Sequence, residues 1–162
     1  MHSPIFIKGG KTMSCNKCNQ KSSLDIYNIT STPVATGANL TFTNKYIDTG
    51  VSINYVAGGT TINFVKAGLY RVTLTATGSA TDAAGDIAIQ AFRNGTVIPG
   101  ANSAVTSSGI ADIRNLTIDT LVLVNNSCEC SGIGSNSIPL TFVNTGIPAT
   151  YSKLKLVVVK EA

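Results

Sequence analysis

The 162-residue chain is 43% hydrophobic but only 12% charged, about half the usual charged share, and its net charge of +4 is scattered without a run of lysines or arginines. That thin charge argues against an electrostatic stripe for nucleic acid, and no apolar run approaches the roughly 18 residues of a membrane span. The polar positions are mostly Thr, Ser, Asn and Gly, a hydroxyl-rich surface common on extracellular or virion β proteins and unusual for a cytosolic enzyme.

The chain reads as one domain over residues 24–162 behind a polar tail over residues 1–23. The first ten residues hold one lysine and a short apolar patch, Pro4-Ile5-Phe6-Ile7, which is too little for a secretion signal. Gly9-Gly10-Lys11-Thr12 imitates the end of a phosphate loop. The leading glycine of that motif would fall on Ile5 and no strand precedes it, so it is rejected.

Leu24 to Thr30 alternates and predicts the first strand. Pro33 to Asn39 predicts a loop, followed by short strands over Leu40 to Thr43, Val51 to Tyr55 and Thr60 to Val65. Lys66-Ala67-Gly68 then opens the longest strict alternation, Leu69 to Thr77. Tyr70, Val72, Leu74 and Ala76 share its buried face, and threonines fill the other. Asp86 to Arg93 predicts a strand that returns through the hairpin signal Asn94-Gly95 to Thr96 to Ile98. Ala101 to Gly109 predicts a loop, Ile110 to Val124 a second long strand, Ser137 to Val143 another, and Tyr151 to Lys160 the last. No segment has a 3.6-residue apolar period, and strands at this spacing predict an all-β sandwich.

Two strands depart from simple alternation. Leu116 to Val124 begins polar on its second face, with Thr117 and Asp119, and then presents Leu121 and Leu123. The last strand behaves alike, Lys153 and Lys155 giving way to Val157 and Val159. A sandwich sheet needs one apolar face only, so something covers the second. A cap by the chain's own loops is the plainer explanation. Contact with another subunit is preferred, because both strands change character in the same way.

Lys66-Ala67-Gly68-Leu69-Tyr70-Arg71-Val72 resembles the Gly-x-Tyr strand of the jelly-roll domains related to tumour necrosis factor and to the head of complement component 1q. Phe92-Arg93-Asn94-Gly95-Thr96-Val97-Ile98-Pro99-Gly100 resembles the hairpin of the bacterial branch. That branch includes the carboxy-terminal domains of exosporium collagen-like glycoproteins and fibre-like bacteriophage proteins. The terminal Leu154 to Val159 resembles the closing strand. The resemblance spans roughly Leu24 to Lys160, without the collagen stalk of the spore proteins. It implies a jelly roll of about ten antiparallel strands that forms a homotrimer. One sheet would hold, in order, the first strand, the last, Leu69 to Thr77 and Leu116 to Val124. By position the resemblance implies Tyr27, Leu121, Leu123, Tyr151, Val157 and Val159 at the trimer axis.

Catalytic chemistry finds little support. The chain has one histidine, His2, and two glutamates, Glu129 and Glu161. A histidine-dependent triad would have to use His2 in the tail. Asp82 and Asp86 flank a loop and are read as solvated carboxylates, with calcium as the alternative. The Asn-x-Ser/Thr sequences at Asn28, Asn39, Asn94, Asn115 and Asn125 reflect composition.

The cysteines are the sharpest chemical signal. Cys15-x-x-Cys18 lies in the tail and Cys128-x-Cys130 in a loop. Close thiolate pairs suit zinc, because two can share one tetrahedral ion. If neighbouring strands of the implied sheet are antiparallel, the loop after Val124 lands at the end where the first strand begins. All four thiols can then converge as a zinc site. Disulfides or free thiols are the alternatives, and zinc is favoured over disulfides in a reducing cytosol. The expected function is a non-enzymatic trimeric surface module of a bacteriophage virion, a head decoration or fibre tip docked through its tail. A spore-surface domain and a lectin-like module with a glycan receptor are the alternatives. The expected location is accordingly a virion or spore surface, reached without a secretion signal.

Overall fold

A computed structural model describes residues 20–125 and 137–162. The described chain is a two-layer antiparallel sandwich with jelly-roll topology. Eleven strands run in the order β1 (Ser23–Asn28), β2 (Thr32–Val34), β3 (Asn44–Thr49), β4 (Ile53–Asn54), β5 (Ile62–Phe64), β6 (Gly68–Ala80), β7 (Gly85–Arg93), β8 (Thr96–Ser107), β9 (Arg114–Val124), β10 (Ile138–Asn144) and β11 (Ala149–Lys160). One sheet is ordered β3-β1-β11-β6-β9, with β2 also paired to β11, and the other β4-β5-β10-β7-β8. The order of first, last and two long strands is therefore as the sequence resemblance implied.

Period-two alternation builds the core. Tyr70, Val72, Leu74 and Ala76 of β6 are buried, beside Leu154, Leu156 and Val158 of β11 and Leu116, Ile118 and Val122 of β9. They meet Ile87, Ile89, Leu140 and Phe142 of the opposite sheet in one cluster. Each such aliphatic or aromatic side chain contributes about 1.5–3 kcal/mol by leaving water. Phe42 meets Phe142 edge-on at 6.4 Å, and Phe64 packs on Tyr70 at 4.4 Å. Burial pushes the Tyr70 phenol up to about 12, and its hydroxyl donates to the Lys66 carbonyl at 2.7 Å.

The strand expected from Ile110 starts only at Arg114, part of the expected loop Pro33 to Asn39 pairs as β2, and larger differences lie elsewhere. Leu40 to Thr43 forms no strand, although Leu40 and Phe42 are buried as strand residues would be. Their N–H groups go to different partners, Leu40 to the Phe142 carbonyl and Phe42 to the Gly59 carbonyl, so no ladder forms. The strand falls instead on Asn44–Thr49, where every residue is exposed and apolar alternation is no guide. The expected loop Ala101 to Gly109 is largely strand, because β8 pairs with β7 as far as Ser107↔Gly85. Pro99-Gly100 does not end that strand. A register shift opposite Gln90 to Phe92 takes up the extra residues, and the Gln90 amide donates to the carbonyls of Ile98 and Ala101 there. The hairpin itself is as expected, with φ of 50° at Asn94 and 76° at Gly95.

Candidate assembly face

The outer face of the six-stranded sheet carries most residues singled out for subunit contact. Register places Ser23, Val159, Arg71 and Leu121 in one row across β1, β11, β6 and β9. The next row holds Asp25, Val157, Thr73 and Asp119, and the third Tyr27, Lys155, Thr75 and Thr117. Leu69 and Leu123 pair below the first row. Apolar side chains thus gather toward one end of this face, interrupted there by Arg71, and the third row is polar apart from Tyr27. Leu121 and Leu123 remain 48% and 51% exposed, and Val157, Val159 and Tyr27 are partly covered.

Charges line the middle of the face. Arg71 bridges Asp119 at 3.4 Å and Glu161 at 3.2 Å, and Lys155 reaches Asp25 at 3.1 Å. Exposed pairs of this kind add little stability on their own. Asp25 differs, since it is buried and its second carboxylate oxygen has no hydrogen-bond partner among the described residues. A buried carboxylate so placed holds Lys155 over the face rather than adding net stability.

Tyr151 does not share this face. Its ring lies inside the sandwich, 1% exposed and part of the core. The register of β11 against β6 shifts between Tyr151 and Lys153, so Ser152 and Lys153 are both exposed and Tyr151 turns inward. Simple alternation back from Val157 would have put it outside. Its hydroxyl is buried with no hydrogen-bond partner among the described residues, and burial holds its phenol well above the usual range.

A groove of about 310 Å³ opens where β9 meets the β7–β8 hairpin. Val97, Pro99, Leu121 and Leu123 line it, with Arg93 at its rim donating to the Leu123 carbonyl at 2.6 Å. At the opposite edge of the sheet, β3 exposes Tyr46 and Ile47, and Val51 follows in the turn. The sequence reading missed this edge. Lys45-Tyr46-Ile47-Asp48 has no alternation, and its only signal is two large apolar residues in a polar connection.

Cys15, Cys18, Cys128 and Cys130 lie outside the described residues. What is described is the direction of the chain on either side. Ser23 shares its row with Leu121, so β1 begins at the end of the sheet where β9 finishes at Val124. Among the described residues, no group of three or more acidic, cysteine or histidine side chains could hold a metal ion. Asp86 accepts a hydrogen bond from the Thr106 hydroxyl at 2.6 Å.

No protein-family model matches the chain, and no curated protein does. Solved structures match over most of its length. Eiger, a tumour necrosis factor from S. frugiperda, superposes with a TM-score of 0.61 at 13% identity, covering 88% of this chain and 92% of its own. The globular domain of zebrafish complement 1qA gives 0.59 at 7% identity, covering 85% and 94%. The PRD1 vertex protein P5 gives 0.54 at 15% identity, covering 86% and 96%. At these identities the likeness is one of fold, a tumour necrosis factor/complement 1q-like jelly roll.

Proposed function

We propose that this chain is a non-enzymatic, trimer-forming surface module of a bacteriophage virion, serving as a head decoration or fibre tip. The observation that carries the assembly is that Leu121 and Leu123 of β9 stand half exposed on the outer face that also bears Val157 and Val159 of β11, with Arg71 and Thr73 of β6 between them. A closed ring of three removes that surface from water around one axis. The fold likeness to a vertex protein supports a particle role, and so do the low charge and hydroxyl-rich surface. With His2 as its one histidine, the chain has no second imidazole to serve histidine-dependent proton transfer.

The tail carries the attachment to the particle in this reading, and Cys15, Cys18, Cys128 and Cys130 hold one zinc ion at its root. The shared end of β1 and β9 supports that convergence. The test is quantitative mass spectrometry of gradient-purified virions from infected cells. A copy number divisible by three on the particle is expected. Absence from the particle, or recovery from spore coats instead, overturns the virion role.

A further inference from the structure

The five-stranded sheet ends at the short edge strand β4, which pairs with β5. Ile53, Ile62 and Phe64 of these strands are buried, so alternation turns Asn54, Thr61 and Asn63 outward. Asn54 and Asn63 are direct cross-strand partners, so their carboxamides stand side by side. Beside them, under the turn that follows β4, opens a cleft of about 230 Å³ that Thr60 and Val56 complete. It is smaller than the roughly 300–1,000 Å³ of a site for a drug-sized molecule, and suits a single ring.

The chemistry of the cleft is narrow. It offers two carboxamides and two hydroxyls, and none of these four side chains makes a hydrogen bond among the described residues. The amides of Asn28, Gln90 and Asn144, by contrast, are all committed to carbonyls of the fold. Each free carboxamide presents two donors and an acceptor in one plane, a match for adjacent hydroxyls on a ring. Val56, 73% exposed, adds an apolar wall for C–H groups. No charged side chain lines the cleft among the described residues. Lys45, whose ammonium reaches the Tyr55 carbonyl at 3.3 Å, is paired with Asp48 at 2.7 Å. A phosphate or carboxylate would find no cation here to make the strong charge-assisted bonds it needs. The floor is held in place beforehand. Tyr55 is buried, its hydroxyl is shared between the carbonyls of Phe42 and Gly59, and the Gly58 N–H donates to the Phe42 carbonyl at 2.9 Å. A site fixed in this way spends little on ordering when a ligand enters.

We infer that this cleft binds a neutral pyranose sugar, with Asn54 and Asn63 on adjacent ring hydroxyls, Thr60 and Thr61 on their neighbours and Val56 against the C–H face. The inference goes beyond the assembly proposed above and does not rest on it, because the cleft belongs to the sheet opposite the assembly face. An assembly of three would present three such clefts, which lets a weak single-site affinity hold a glycan-covered surface.

The experiment titrates the full-length, ¹⁵N-labelled protein with the methyl glycosides of glucose, galactose, mannose and N-acetylglucosamine. Glucuronate and N-acetylneuraminate serve as charged comparators. The side-chain amide signals of Asn54 and Asn63 are assigned by their loss in Asn54→Ala and Asn63→Ala. At least one neutral glycoside should shift both signals along a saturating curve, with a Kd of about 1 mM. Each alanine variant, and Thr61→Val, should weaken that binding at least tenfold, with circular dichroism and mass in solution unchanged. Silence of all the neutral glycosides at tens of millimolar, a preference for the charged sugars, shifts confined to other residues, or full affinity in the variants overturns the site. A trimer that binds no sugar leaves the assembly reading standing, and a monomer that binds one leaves this inference standing.

Discussion

Leu123→Lys tests the assembly face with a magnitude that the structure supplies. Leu123 is 51% exposed and Leu121 48%, so about half of each side chain awaits cover. Full burial of a leucine contributes about 1.5–3 kcal/mol, so the uncovered half accounts for ~1 kcal/mol per residue on assembly. A lysine forfeits that gain and brings an ammonium into a contact with no partner, a further cost of about 3–5 kcal/mol. The combined loss is roughly 4–6 kcal/mol per copy, about a thousandfold or more in association, since 1.4 kcal/mol is tenfold. Leu123→Ala loses only the apolar part and weakens association about tenfold or less. Sedimentation velocity between 1 and 100 μM (roughly the range these affinities need), with circular dichroism beside it, reads both. A folded monomer for the lysine variant and a weakened trimer for alanine are expected. A lysine variant that assembles as well as the native chain would refute the reasoning, because the side chain would then face water in the assembly.

Four further outcomes are expected. Gly146→Ala should destabilise by about 1–3 kcal/mol, because its Cβ would lie 2.3 Å from the Asp86 carbonyl oxygen and 2.6 Å from the Ala88 nitrogen, both backbone atoms. Thermal unfolding should then fall by roughly 2–12 °C. Tyr151→Phe should be neutral or stabilising in urea unfolding, since it removes a buried hydroxyl with no partner among the described residues, whereas Tyr70→Phe should cost about 1 kcal/mol with the lost bond to Lys66. Raised from 10.0 to about 12 by burial, the Tyr70 phenol favours the folded state below pH 10, and that contribution fades as pH climbs toward 12. Alkaline unfolding and a delayed phenolate absorbance should appear together in that window, and full native-state ionisation of Tyr70 at pH 10 would contradict it. Elemental analysis of protein purified under reducing conditions should find about one zinc per chain with four protected thiols, and metal-free protein with four readily alkylated thiols would end the zinc reading.

Much of the sandwich was legible because burial at period two writes itself into long strands. The alternation of Tyr70, Val72, Leu74 and Ala76 in β6 is such a signature, and the second apolar face at Leu121, Leu123, Val157 and Val159 pointed to contact. Legibility failed where another constraint outweighed alternation. The β11 bulge reversed Tyr151 without any residue type that announces it. Pro99-Gly100 looked like a stop, yet a register shift and the Gln90 amide carry β8 past it. The β3 edge was invisible because its six residues are all exposed and their apolar members answer to no core.

The most direct test of the assembly is the mass of the native protein in solution by light scattering coupled to size exclusion, at micromolar concentration. A single species near three times the 16.8 kDa chain, about 50 kDa, is predicted. A monomer mass under the same conditions would contradict it.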